Sequence, residues 1–108
     1  MLILFDNGVP APLRYALDEH VVVEAIERGW EQLTNGDLLA AAEEGGFEIL
    51  ITTDKNMRYQ QNLTARRIAF VVLGNQQWPV LRRHTNRVKA AVDAAIPGSY
   101  VEVEIPFD

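Results

Sequence analysis

Cysteine is absent from the 108 residues, which excludes a disulfide framework and any thiolate metal site and leaves the fold to be held by its core. Histidine occurs only at His20 and His84, so a histidine-rich zinc centre is excluded too. No long apolar run is present. Met1 to Phe5 is ended by Asp6, too short for a signal-peptide core or a membrane span, and the expectation is a cytoplasmic protein with no membrane attachment. Repeats, linkers and low-complexity stretches are missing as well, and the length suits one small domain, residues 1–108. What is there looks globular: 48% apolar and 23% charged residues, against averages of about 45–50% and about 25%. Disorder, collagen and coiled coil are thereby excluded.

Each half is poor in charge of one sign. The net charge of −5 first argues against a nucleic-acid partner, but residues 1–54 carry eleven acidic and two basic groups, while residues 55–108 carry eight basic and four acidic. The halves are therefore −9 and +4, and no carboxylate lies between Lys55 and Val92. Such segregation is unusual for a small domain and suggests two different electrostatic tasks.

Short apolar runs alternate with helical patterns. Leu2–Phe5, Val21–Val23, Phe47–Thr53 and Ile68–Leu73 read as strands, most of them buried on both faces. Pro10 and Pro12 suit a helix start, with Leu13, Ala16 and Leu17 at helical spacing, and Val21–Val23 leads into a loop through Gly29-Trp30. Asn35 is the expected N-cap of a helix with Asp37 in its first turn and Leu38, Leu39 and Ala42 on one face, stopped by Gly45-Gly46. A further helix is expected over Pro79–Ala95. Tyr100–Ile105 alternates apolar residues with Glu102 and Glu104, the pattern of a strand at a sheet edge. The expectation is a single three-layer α/β/α domain with a mostly parallel, about five-stranded sheet, in the common order 2-1-3-4-5. In such folds ligands bind outside the carboxyl ends of the strands.

Asp6 closes the first strand and Asp54 the third, so in that order they stand at the same end of neighbouring strands, about 4.8 Å apart. Asp37, opening the helix that feeds the third strand, can reach the same rim. Three carboxylates without cysteine suit a hard divalent cation, Mg²⁺ or Mn²⁺, able to activate water and neutralise charge on a phosphoryl group. Each aspartate also has a plain reading, Asp6 and Asp54 as turn residues and Asp37 as an acid favoured by the helix dipole. A receiver-like phosphoacceptor domain shares the two strand-end aspartates. It expects more acid beside the first, a Ser or Thr after the fourth strand and a Lys after the fifth, where this chain has Asn7, Gly74 and Pro106.

FDNGVP at 5–10, NGDLL at 35–39, GFEILITTDKN at 46–56 and IAFVVL at 68–73 resemble the short PIN-like family of predicted nucleases, relatives of PIN-domain toxins, and the likeness spans nearly the whole chain. The resemblance implies a metal-dependent ribonuclease-like site with carboxylates at Asp6, Asp37 and Asp54, a bacterial origin, and a toxin–antitoxin pairing with an antitoxin protein as partner. The chain departs from that family at Asn7, where members often carry an acid, and at Gly74-Asn75-Gln76-Gln77, where full-length PIN nucleases carry a fourth one. Glu43 or Glu44 is the candidate to substitute, with solvated residues at a helix end as the plain reading; a catalytically degenerate module that binds protein or RNA without cutting is the alternative.

Directly after Asp54 come Lys55, Asn56, Arg58, Tyr59 and Gln60, a run that could track single-stranded RNA. Tyr59 offers a stacking face and Arg58 a phosphate contact, with Lys55 the candidate catalytic cation near the scissile phosphate. A solvated polar loop is the plain reading of the same residues. Arg66-Arg67 and Arg82-Arg83-Arg87 either extend the track or form a wet face. Trp30 and Trp78 read as partial core or a dimer contact, and a homodimer is plausible through the edge strand at 100–105.

Overall fold

The computed structural model describes residues 1–56 and 67–107; Arg58, Tyr59, Gln60 and Arg66 lie outside the described residues. Five strands, β1 (Leu2–Phe5), β2 (Val21–Glu24), β3 (Ile49–Thr52), β4 (Ala69–Leu73) and β5 (Tyr100–Val103), form one sheet in the order β2-β1-β3-β4-β5. Every pairing is parallel, as the alternation of strand and helix patterns requires. Among the described residues the α-helices are α1 (Asn35–Glu44), α2 (Trp78–Leu81) and α3 (Thr85–Ala94), and none is long and apolar enough to cross a membrane.

Period-two alternation sorts the strand side chains into two cores. Leu4, Leu50 and Phe70 face α1, where Leu38, Leu39 and Ala42 close the layer. Ile3, Phe5, Ile49, Ile51 and Val71 face the opposite way, against Leu13, Leu17, Val88 and Val92. All of β3 and β4 is buried, which is why those runs carry no polar alternation. Trp30 and Trp78 are half-buried and pack against the two cores, one on each face, so each completes a core.

Three local expectations are corrected. The Pro10–Leu17 pattern forms a 3-10 segment over Ala11–Leu17, with Pro at its start and Leu13 and Leu17 buried. The helix expected over Pro79–Ala95 is interrupted by a 3-10 turn at Arg82–His84, where His84 at φ −127° and ψ 23° leaves helical geometry. The N-cap of α1 is Thr34, not Asn35: the Thr34 hydroxyl accepts from the Asp37 N–H at 3.3 Å, and Asn35 is thereby freed for another partner.

The sheet's β2 edge is covered. The Val21 N–H donates to the Met1 carbonyl at 3.0 Å, so the N–H and C=O of Val22 face outward, and Arg14 Nη2 donates to the Val22 carbonyl at 2.8 Å. The same guanidinium pairs with Glu24 at 3.0 Å and Glu27 at 2.9 Å. A side chain fixed across an edge in this way blocks addition of another strand.

Candidate active site at the carboxyl ends of the strands

The strand order reverses direction between β1 and β3, the point where parallel sheets open a crevice. Asp6 leaves β1 there, its N–H still bonded to the Ile51 carbonyl of β3 at 2.9 Å. One residue further along β3 lies Thr52, whose side chain is completely buried. Its hydroxyl donates to Asp6 Oδ2 at 2.8 Å and accepts from the Asp54 N–H at 3.1 Å. A single hydroxyl thus joins the two strand ends and fixes both aspartates.

The remaining carboxylate oxygens are also held by neutral donors. Asp6 Oδ1 accepts from the Asn7 N–H at 2.8 Å. Asp54 Oδ1 accepts from the Asn56 N–H at 2.9 Å, a local turn typical of aspartate, and Asp54 Oδ2 accepts from Asn35 Nδ2 at 2.9 Å. Asn35 therefore pins the first turn of α1 to the end of β3. Among the described residues no lysine, arginine or histidine pairs with either carboxylate. Each ionised carboxylate has about four lone-pair sites, so both keep capacity for a further partner.

The other expected site residues are placed as follows. Asp37 is exposed in the first turn of α1, two residues beyond Asn35, and positions i and i+2 do not share a helix face. It does not form a three-acid group with Asp6 and Asp54. Lys55 is exposed and, with Gly74, Glu102 and Glu104, lines a cleft of about 330 Å³ toward β5. Asn56 contributes the N–H that closes the Asp54 turn. Glu43 accepts from the Arg67 N–H at 3.4 Å, at the start of β4 and the opposite end of α1, and Glu44 is exposed beside it, so neither can stand in for a missing ligand. Among the described residues, no three histidine or acidic side chains gather closely enough to hold a metal ion.

Asn7 has a role of its own. Its Nδ2 donates to the Glu31 carbonyl at 2.8 Å, tying the loop after β1 to the loop before α1; an acid at this position has no donor to offer. Thr52 and Asn35 were not legible as site residues, since a threonine in a β-branched strand and an asparagine at a helix start both have ordinary local explanations. For Thr52 the signal was spacing, a polar residue two positions before a strand-end Asp; for Asn35, nineteen positions from Asp54, there was none.

The class this geometry defines is a parallel α/β domain with two aspartates joined through a threonine hydroxyl at its switch point. No family model matches the chain, and neither a curated protein nor a solved structure matches it.

Proposed function

We propose that this domain is a divalent-cation-dependent phosphodiesterase of the PIN-like type, acting on RNA. The observation that carries the reading is the Asp6–Thr52–Asp54 unit, two carboxylates at the carboxyl ends of adjacent parallel strands, bonded only to neutral donors among the described residues. The donor set fits the ion: Mg²⁺ is commonly bound by one or two carboxylates, with water and substrate phosphate completing its shell, and Mn²⁺ accepts the same oxygens. Asp6 and Asp54 would hold it, with Asp37 adding negative potential at the rim. Such an ion supplies charge neutralisation at a phosphoryl group and a more acidic water.

The protein's own contribution is positioning. Thr52 and Asn35 fix the carboxylates before any ligand arrives, so little reorganisation is left for the reaction. Lys55, one residue beyond Asp54, supplies a positive charge for the phosphate chain, and the basic stretch 55–89 lowers the repulsion that a net charge of −5 imposes on RNA. The toxin–antitoxin pairing rests on the sequence resemblance.

Replacing both aspartates by asparagine keeps the shape and removes the charge. The expected outcome for Asp6→Asn with Asp54→Asn is a loss of about 10²–10³-fold or more in cleavage of a fluorescent RNA; cleavage at the wild-type rate sinks the proposal. A second reading, an RNA- or protein-binding module that does not cut, is favoured by the amides Asn75, Gln76 and Gln77 where a fourth acid is expected and by the exposed position of Asp37. Turnover that disappears with EDTA and returns with Mn²⁺ excludes it.

A further inference from the structure

Three loops at the carboxyl end of the sheet converge on one point outside the carboxylate pair. Thr53, which stands between Thr52 and Asp54, donates its hydroxyl to Gln76 Oε1 in the loop after β4, at 3.4 Å. Gly8, in the loop after β1, approaches the same two residues so closely that a Cβ there would lie 2.6 Å from Thr53 Oγ1 and 3.2 Å from Gln76 Oε1. Only glycine allows that contact without displacing the pair.

Beside this junction lies a pocket of about 290 Å³ lined by Thr53, Asn75, Gln76, Gln77 and Phe107. Its chemistry is specific. Phe107 is 75% exposed, a large apolar ring with a free face beside a row of amides. The Gln77 N–H donates to Asn75 Oδ1 at 2.8 Å; a backbone N–H can only donate, so the amide orientation of Asn75 is fixed and its NH₂ is left over. Gln76 likewise uses its oxygen on Thr53 and keeps its NH₂. No partner for either NH₂ occurs among the described residues. One stacking surface and several in-plane hydrogen-bonding groups are what an unstacked base requires, since single-stranded RNA is recognised by aromatic stacking and by bonds to base edges.

We propose that this pocket is a nucleobase subsite, which seats one base of single-stranded RNA against Phe107 and the Asn75–Gln76 amides and so places the adjoining phosphodiester beside Asp6 and Asp54. The assignment rests on the nuclease reading for its substrate class. It gives the loop after β4 a task other than metal binding, one that explains why amides stand where an acid was expected.

The test is fluorescence anisotropy of a short, unstructured, fluorescein-labelled RNA with the full chain in EDTA, so that binding is read without cleavage. Phe107→Ala is expected to weaken binding about five- to one-hundred-fold, Gln76→Ala about two- to tenfold, and Phe107→Tyr, which keeps the ring, to bind as wild type does. Both replaced side chains are exposed, so folding is not at stake. Phe107→Ala binding as tightly as wild type overturns the subsite, as does a wild-type chain that does not bind RNA. A parallel Mn²⁺ cleavage assay separates the two claims. Binding that depends on Phe107 without any cleavage keeps the subsite and removes the nuclease reading. Cleavage that depends on Asp6 and Asp54 but is unchanged in KM by Phe107→Ala removes the subsite alone.

Discussion

Two acidic pairs on this small domain are built on opposite plans. At the β2 edge, Glu24 and Glu27 close on Arg14 at 3.0 and 2.9 Å, so both acids share one cation, and Arg14 also covers an outward carbonyl of β2. At the switch point, Asp6 and Asp54 share the Thr52 hydroxyl and are otherwise held by backbone N–H groups and the Asn35 amide. The first pair secures an edge. The second has neutral donors only, with no cation beside it among the described residues. Local acid content alone does not distinguish the two pairs; what each carboxylate is bonded to does.

The comparison breaks most severely if the charge at the switch point is removed. The Asp6→Asn, Asp54→Asn variant is expected to lose cleavage as described above, while a Glu24→Gln, Glu27→Gln variant keeps it, both read in the same RNA assay. Next in size is Thr52→Val, which keeps the shape of a buried residue and deletes the hydroxyl between the aspartates. Hydrogen bonds to charged groups contribute about 1.5–3 kcal/mol, so a loss of that order in a urea-unfolding experiment is expected, with cleavage falling about 10–100-fold as for residues that orient metal ligands.

The edge pair gives a smaller, pH-dependent effect. Glu27 is held below its ordinary value of 4.5, chiefly by the hydrogen bond from Arg14. A carboxyl lowered in the folded state contributes stability above its unfolded value and loses it as pH falls through the folded one. Arg14→Ala is therefore less stable than wild type near neutrality, and the gap in urea midpoint narrows as the pH drops below 4.5. The smallest effect belongs to Asp37→Asn: about 0.3–1 kcal/mol from the lost charge in the first turn of α1, and less than about tenfold in cleavage.

The sheet was legible because its physics is local. Runs such as Ile49–Thr52 and Ala69–Leu73 have no polar alternation, which only strands buried on both faces tolerate, and strand–helix alternation then forces parallel pairing. The positions of Asp6 and Asp54 followed from that order alone. What stayed hidden depends on contacts between segments remote in sequence. Asn35 looked like a cap because asparagine is a preferred N-cap residue; Thr34 takes that role, and Asn35 bonds to Asp54, nineteen positions away. The break at Arg82–His84 left no mark in the apolar pattern, since Leu81 and Val88 are both buried on either side of it. Thr52 reads as one more β-branched strand residue until Asp6 arrives from β1, and Phe107 acquires a context only when the loop after β4 folds beside it.

The central claim is that the switch-point pair, unlike the edge pair, takes a divalent cation. The direct measurement is a calorimetric titration of Mn²⁺ into the purified chain at neutral pH. One saturable ion per chain is predicted for the wild type and for Glu24→Gln, Glu27→Gln, and none for Asp6→Asn, Asp54→Asn. Absence of saturable binding in the wild type, or equal binding in the aspartate variant, contradicts the account.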